Sequence, residues 1–302
     1  MTIAKRKSKS KCKYTIGKDK IDTCNSYKYL GTTISENGSF KNNLANLNKK
    51  ASGAMFSLLK CINKHYAGDI KILLNLFDRM IVPVLLYNSE VWGGILLPSN
   101  SKQRDYLNDS NINNTVEKLQ NRFLKYILGV NVKSTNWAIR TETGRIPLTS
   151  KVYEGILKYY QHVYNSKSTI VQDTLKLCID LDQKGINTWY TTFKRILQFM
   201  SLDEKTISEH KNINKLIKDK ISHLYTNTWN EERNKQQQKG KHQIYAEIKT
   251  QNCFEKYLDI ENMNVRKAIT KMRISSHKFP IKTGRYEKRK DMKGYVLYVV
   301  MI

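Results

Sequence analysis

The spacing of apolar residues over residues 40–62 is the feature that most restricts the fold of this chain. Apolar side chains recur there at steps of three and four, so they form one stripe along a helix: Phe40, Leu44, Leu47, Ala51, Met55, Leu58 and Ile62. Residues 70–92 follow and are apolar nearly all round, which predicts a second helix that bends at Pro83 and needs neighbours on several sides. These two predicted helices together indicate a mainly α fold built as a multi-helix bundle.

A short β unit is predicted ahead of these helices. Residues 11–16 alternate polar and apolar side chains, residues 17–20 suit a turn, and residues 21–24 form a short return strand. Residues 27–34 are rich in β-branched and aromatic side chains and predict another strand. Residues 36–39 then form a turn, with Ser39 placed to cap the first helix. Such a unit would be an isolated hairpin with an exposed edge.

Further helices are predicted after a polar stretch that begins at Pro98. One starts near Asn114 and ends at Gly129, which occupies a helix-stop position. The others are expected at 134–142, 148–165, 168–183, 187–201 and 208–236, with one or two more within 241–275. The predicted organisation is a basic leader (1–11), strands with thumb-like helices (12–97), a linker (98–114), a helical region (115–275) and a basic tail (276–302).

The charge balance predicts a polyanionic partner. The chain has 53 Lys and Arg against 26 Asp and Glu, a net charge of +27. Lysines and arginines that neutralise phosphates release counterions, which favours binding to RNA or DNA backbones. A basic surface that serves only solubility is the alternative. No apolar stretch has the character of a secretory signal or a membrane span, so we expect no membrane partner and a location in the nucleus or cytoplasm.

The cysteines argue against a metal centre. Five of them lie far apart without a Cys-x-x-Cys pair, as expected for reduced thiols rather than a zinc site. Asp180 and Asp182 stand two positions apart in a predicted helix, where carboxylates point to different sides, so a solvated helix face is expected for them. No cofactor is predicted.

Five segments occur in an order that resembles one protein family. Residues 27–38 read Tyr-Lys-Tyr-Leu-Gly-Thr-Thr-Ile-Ser-Glu-Asn-Gly, and residues 81–93 read Ile-Val-Pro-Val-Leu-Leu-Tyr-Asn-Ser-Glu-Val-Trp-Gly. Residues 123–130 end in Leu-Gly-Val, residues 142–148 contain Gly-Arg-Ile-Pro-Leu, and residues 273–286 end in Thr-Gly-Arg-Tyr. Together they resemble the C-terminal part of non-LTR (LINE-like) retrotransposon reverse transcriptases, from the end of the palm through the thumb and the helical region after it.

The resemblance implies a fragment that holds template RNA and primer duplex without performing chemistry. The family's polymerase centre contains an Asp-Asp pair that binds two metal ions, and no such pair occurs in this chain. The family's endonuclease is also missing, so we expect neither polymerase nor nuclease activity. Residues 295–298, Tyr-Val-Leu-Tyr, stand where the family has the Cys-x-x-Cys of a zinc finger, which implies a degenerate and truncated finger.

Fourteen residues are predicted to contact nucleic acid. Gly31 would let a backbone come close, and Tyr29, Trp137 and Tyr286 would offer flat faces to a sugar or base. The predicted phosphate contacts are Lys28, Lys49, Lys50, Arg122, Lys125, Arg140, Arg145, Arg273, Lys282 and Arg285. Two other hypotheses stand beside this one: the product of a decayed element with no selected function, and a helical adaptor that binds protein.

Overall fold

The predicted fold class is confirmed by the computed structural model of the chain. The structure describes residues 15–20, 24–65, 69–98, 107, 114–239 and 242–276, and these are mainly helical behind two short β-hairpins. The first hairpin pairs β1 (Thr15–Ile16) with β2 (Asp19–Lys20), and the second pairs β3 (Ser26–Tyr29) with β4 (Thr32–Ser35). The predicted leader (1–11) lies outside the described residues.

The second hairpin corrects the prediction of one strand over residues 27–34. The chain reverses at Leu30 and Gly31, whose φ angles are 43° and 84°, and Tyr29 pairs with Thr32 across the turn. Glycine adopts this left-handed backbone without steric cost, so Gly31 permits a two-residue turn inside the β-branched run. The return strand of the first hairpin is β2 rather than residues 21–24, of which 21–23 lie outside the described residues.

The first long helix forms as predicted. Helix α1 spans Lys41–His65, and the Ser39 hydroxyl accepts a hydrogen bond from the backbone N–H of Lys41 at 3.3 Å. Its apolar stripe is buried from Leu44 to Leu59. Hydrophobic burial along this stripe therefore holds α1 against the bundle.

The prediction of one bent helix over residues 70–92 is wrong. Helix α2 (Ile70–Leu76) runs into a π-helical turn (Phe77–Ile81), then α3 (Val82–Leu85), α4 (Ser89–Trp92) and a 3-10 turn (Gly93–Leu96). Val82 donates to the carbonyl of Phe77, five residues back, directly before Pro83, which has no N–H to donate. A left-handed Asn88 (φ 52°) then breaks the helix, a conformation that asparagine tolerates better than most residues.

The remaining helices follow the predicted order with shifted ends, and Glu204–Glu209 adds a short helix that was not predicted. Asn114 caps α5 through the N–H of Glu117, and Gly129 ends it with a φ of 66°. The helices are α5 (Thr115–Leu128), α6 (Asn136–Glu142), α7 (Thr149–Tyr164), α8 (Thr169–Gln183), α9 (Trp189–Met200), α10 (Glu204–Glu209), α11 (Ile213–Lys239), α12 (Gln243–Ile248) and, after a 3-10 turn (Lys256–Asp259), α13 (Met263–Arg273).

Two hydrophobic cores organise these helices. The first joins α1, α2, α5 and α6, and it also takes in Trp229, Tyr245, Leu258 and Ile274 from the C-terminal region. The second is formed by α7, α8, α9, α10 and the first part of α11, and Leu107 is buried against it. Helices α1 and α5 lie on opposite sides of the predicted linker in sequence, and both contribute residues to the first core.

A buried ion pair connects three helices at the first core. Glu117 of α5 and Arg140 of α6 are 2.8 Å apart, and both side chains are 1% exposed. The other Glu117 oxygen accepts hydrogen bonds from the backbone N–H and the hydroxyl of Thr149, both at 2.7 Å. Burial raises the pKa of the Glu117 carboxyl to about 7, while the bonds from Thr149 lower it. Burial also lowers the pKa of Arg140 to about 10.

Replacing Gly144 with alanine is expected to destabilise the fold by about 2–4 kcal/mol, from left-handed strain plus overpacking. Gly144 has a φ of 62°, and an added Cβ would lie 2.7 Å from the backbone nitrogen of Phe254. Gly185→Ala is the control, because its φ is 77° but no atom lies within 4 Å of the added Cβ. Urea denaturation should show the larger loss at Gly144, and equal losses would mean that the contact with Phe254 is unimportant.

Candidate nucleic-acid interface

Asparagine side chains of α1 hold the second hairpin against the start of that helix. The Asn43 side-chain oxygen accepts the backbone N–H of Thr33 at 2.9 Å. Asn42 donates to the hydroxyl of Ser35 at 3.3 Å, and Asn46 donates to the hydroxyl of Thr33 at 3.4 Å. The hairpin therefore lies along the N-terminal half of α1 in a defined register.

A groove runs between the hairpin and α1. Its volume is about 470 Å³, and the described residues that line it are Lys28, Gly31, Thr33, Asn43, Asn46, Leu47, Lys49 and Lys50. Four of the predicted contact residues line this groove: Lys28, Gly31, Lys49 and Lys50. The fold brings them together although the two hairpin residues lie about twenty positions before the two lysines of α1. We call this surface the lysine groove.

The lysine groove lies in a strongly positive part of the chain. The sequence has no Asp or Glu between Glu36 and Asp69, and the exposed lysines in residues 41–61 of α1 are Lys41, Lys49, Lys50 and Lys60. The N-terminal end of a helix also carries the positive end of its dipole, and the first turn of α1 has no acidic residue to offset it. An anion at this groove would meet positive potential from both sources.

The outer face of the hairpin is aromatic. Tyr27 and Tyr29 are 57% and 59% exposed. Because side chains alternate along a strand, these two rings point away from the face that carries Lys28. Exposed flat rings next to a basic groove are the combination used to bind single-stranded nucleic acid.

Gly31 has a different role from the predicted one. An added Cβ would lie 2.9 Å from a ring carbon of Tyr87, and the Tyr87 hydroxyl donates to the carbonyl of Leu30 at 2.8 Å. The close approach at Gly31 is therefore made by a side chain of the protein itself. Tyr87 fixes the hairpin turn to the segment between α3 and α4.

Arg122 extends the basic surface beyond the groove. It is exposed on α5, and its guanidinium lies over the ring of Phe56, with 4.7 Å between the guanidinium carbon and the ring centroid. A cation–π contact holds the side chain in place without neutralising its charge. Arg122 therefore remains available for a phosphate contact.

Trp137 and Arg140 are wrong as predicted contact residues, because both are inside the protein. Trp137 is 3% exposed and packs against Trp229 and Tyr245, with ring centroids 6.3 Å and 5.4 Å away. Arg140 forms the buried ion pair with Glu117. Neither side chain can reach a ligand at the surface of this fold.

Three other predicted cations are engaged within the fold. Lys125 donates to the carbonyl of Val132 at 2.7 Å, and burial lowers its pKa. The other two are arginines in ion pairs, Arg145 with Asp78 at 2.5 Å, and Arg273 with Glu142 at 3.0 Å and Glu255 at 3.4 Å. The charges of the two arginines are therefore paired within the fold, and the Lys125 ammonium is directed at a backbone carbonyl, so a phosphate contact from these three residues is not supported. The predicted contacts Lys282, Arg285 and Tyr286 lie outside the described residues.

Of the two aspartates expected on a solvated helix face, Asp180 is exposed and Asp182 is half-buried. Asp182 accepts hydrogen bonds from Lys194 at 2.8 Å and from the Thr191 hydroxyl at 2.5 Å, and these bonds lower the pKa of its carboxyl. It therefore links α8 to α9. Among the described residues, no group of three His, Cys, Asp or Glu side chains could hold a metal ion, and no described helix is long and apolar enough to cross a membrane.

Comparison of the chain with protein-family models, curated proteins and solved structures found no match.

Proposed function

We propose that this chain binds nucleic acid through the lysine groove, as a catalytically inactive part of a non-LTR retrotransposon reverse transcriptase. The observation that carries the proposal is the meeting of Lys28, Lys49 and Lys50 in one groove whose described lining contains no carboxylate. The net charge of +27 favours the same class of partner. The proposed ligand is an RNA or a primer duplex, and the corresponding location is the nucleus or cytoplasm.

The arrangement supports contacts to the backbone rather than readout of sequence. Lysine ammonium groups bind phosphates as point charges and carry no information about the bases. The exposed rings of Tyr27 and Tyr29 can stack on any base, since every base has a flat face. We therefore expect strong dependence on salt and weak sequence preference.

Reversing the charge of the three groove lysines (K28E, K49E and K50E together) should weaken RNA binding about a hundredfold at low salt, because phosphate contacts become repulsions. The slope of log affinity against log salt should fall by about two to three. Fluorescence anisotropy with a labelled structured RNA at several salt concentrations measures both quantities. Circular dichroism checks that each variant remains helical.

A matched control reverses three lysines elsewhere. Lys211, Lys215 and Lys218 are exposed at the start of α11 and before it, so K211E, K215E and K218E together change the net charge equally. This triple variant should retain most of the affinity. Equal losses in the two variants would show that charge acts diffusely and that the groove has no special role.

The same titration separates the competing hypotheses. A helical wild-type chain that binds no RNA at any salt concentration would contradict the proposal and favour the product of a decayed element. A protein partner bound with little salt dependence, through an apolar patch, would favour the helical adaptor.

A further inference from the structure

One buried amide beside the lysine groove has an unused hydrogen-bond donor. Asn43 is 1% exposed and lines the groove. Its side-chain oxygen accepts the N–H of Thr33, which directs the Nδ2 amide group the other way. Among the described residues, Nδ2 has no acceptor within hydrogen-bond distance.

A buried donor without an acceptor is uncommon and is unfavourable until a partner arrives. The groups that line the groove around Asn43 define the chemistry of that partner. Lys28 lies on β3, and Lys50 lies on α1 two turns after Asn43. Thr33 pairs with Lys28 across the hairpin, so its hydroxyl lies on the same face as Lys28. Asn43 itself stands in the first turn of α1, at the positive end of the helix dipole. Donors and positive charges thus line the same groove as Asn43, and the partner that they favour is an anion with several oxygens.

We infer that Asn43, Lys28 and Lys50 form a seat for one phosphate group of the bound backbone. The Asn43 amide donates to a phosphate oxygen, and the two ammonium groups neutralise its charge. Lys28 and Lys50 are exposed, so their side chains can move aside as the phosphate enters. This inference rests on the proposed function, and it assigns to Asn43 a directional contact that lysines alone do not provide.

The decisive variant is Asn43→Asp. Aspartate keeps the oxygen that accepts the Thr33 N–H, but it replaces the amide donor with a negative oxygen that repels phosphate. The control is Asn48→Asp, which makes the same charge change on α1 at a residue that does not line the groove. Thermal unfolding of both variants checks that the hairpin and α1 remain folded.

We expect Asn43→Asp to weaken binding of a short single-stranded RNA without terminal phosphates by about tenfold or more, since a hydrogen bond to a charged group is lost. Asn48→Asp should weaken it by less than about threefold. A second measurement follows the Asn43 side-chain amide by ¹H–¹⁵N NMR, with its signals assigned by their loss in Asn43→Asp. These signals should shift on titration with the RNA and with inorganic phosphate.

The outcomes separate the phosphate seat from the proposed function. If RNA binds the wild-type chain, but the two variants bind equally and the Asn43 signals do not move, the seat is overturned and nucleic-acid binding stands. If inorganic phosphate shifts the Asn43 signals but RNA does not bind, Asn43 lines a phosphate site, but the proposed function fails and a nucleic-acid backbone is overturned as the occupant of that site. If vesicles of phosphatidylglycerol bind the chain more tightly than RNA does, and Asn43→Asp removes that binding, a backbone phosphate is overturned as the occupant.

Discussion

Replacing Arg140 with methionine is expected to lower the free energy of unfolding by about 3–5 kcal/mol at neutral pH. Methionine fills much of the space of the arginine but leaves the buried Glu117 carboxyl without its counterion, so this group either stays charged without a partner or takes up a proton, and both cost free energy. Glu117 and Arg140 are both 1% exposed, so water cannot replace the lost partner. Urea denaturation followed by circular dichroism measures the loss, and a change below about 1 kcal/mol would show that the pair contributes little.

The pH dependence of the free energy of unfolding tests whether the unpaired Glu117 carboxyl causes the loss in Arg140→Met. Burial already raises the pKa of Glu117 above its ordinary value of 4.5, to about 7, and loss of the Arg140 charge raises it further. The folded state then holds a proton that the unfolded state releases, so stability increases as pH falls through the folded pKa. Wild type shares a folded pKa of about 7, so the free energies of unfolding of wild type and Arg140→Met should run parallel below that pH. The difference between them should narrow only as pH falls from the higher folded pKa of the variant toward about 7.

A double variant gives the matched control for the ion pair. Glu117→Gln combined with Arg140→Met removes both charges, while the glutamine oxygen can still accept the two hydrogen bonds from Thr149. It should recover a large part of the stability lost in Arg140→Met, because no uncompensated charge remains. Failure to recover would mean that the shape of the arginine matters more than its charge.

The second large effect is expected at Trp229. This side chain is 2% exposed, packs against Trp137 in the first core, and donates from its indole nitrogen to the Thr141 hydroxyl at 2.9 Å. Trp229→Ala should lower the free energy of unfolding by about 3–5 kcal/mol, because a large cavity opens between α6 and α11. Urea denaturation is again the measurement.

Trp229→Phe separates packing from hydrogen bonding. Phenylalanine keeps most of the ring contact and loses the indole donor, so the expected loss is near 1 kcal/mol from the unmade hydrogen bond. If the alanine and phenylalanine variants lose equal stability, the hydrogen bond to Thr141 is the dominant contribution and the cavity argument is wrong.

Helix positions were predictable where the sequence carries local signals. The α5 helix begins at an Asn114 cap and ends at a left-handed Gly129, and both signals are visible in the sequence. The sequence does not predict the turn at Leu30 and Gly31, because leucine there continues the β-branched and aromatic run. It does not predict the break at Asn88, because the flanking apolar residues continue the helical pattern.

The surface was less predictable, because a charged residue looks the same in sequence whether it is exposed or buried. The charges of Lys28, Lys49 and Lys50 predict phosphate contacts, and these three lysines line one groove. The charge of Arg140 predicts the same, but its partner Glu117 lies 23 positions away on another helix. Whether such a charge is exposed or buried in an ion pair depends on the packing of α5 against α6, which the sequence does not show. Asn43 carries no sequence signal, since its free donor depends on the register of the hairpin.

The composition of the first core has a consequence during synthesis of the chain. Residues of α1 and α2 pack together with Trp229, Tyr245, Leu258 and Ile274, which a ribosome adds much later. Until then the apolar stripe of α1 lacks part of its cover, and contacts between such distant residues form slowly. A nascent chain that carries the lysine groove therefore emerges before its supporting core is complete, and a chaperone that shields apolar helices should increase the yield of folded protein.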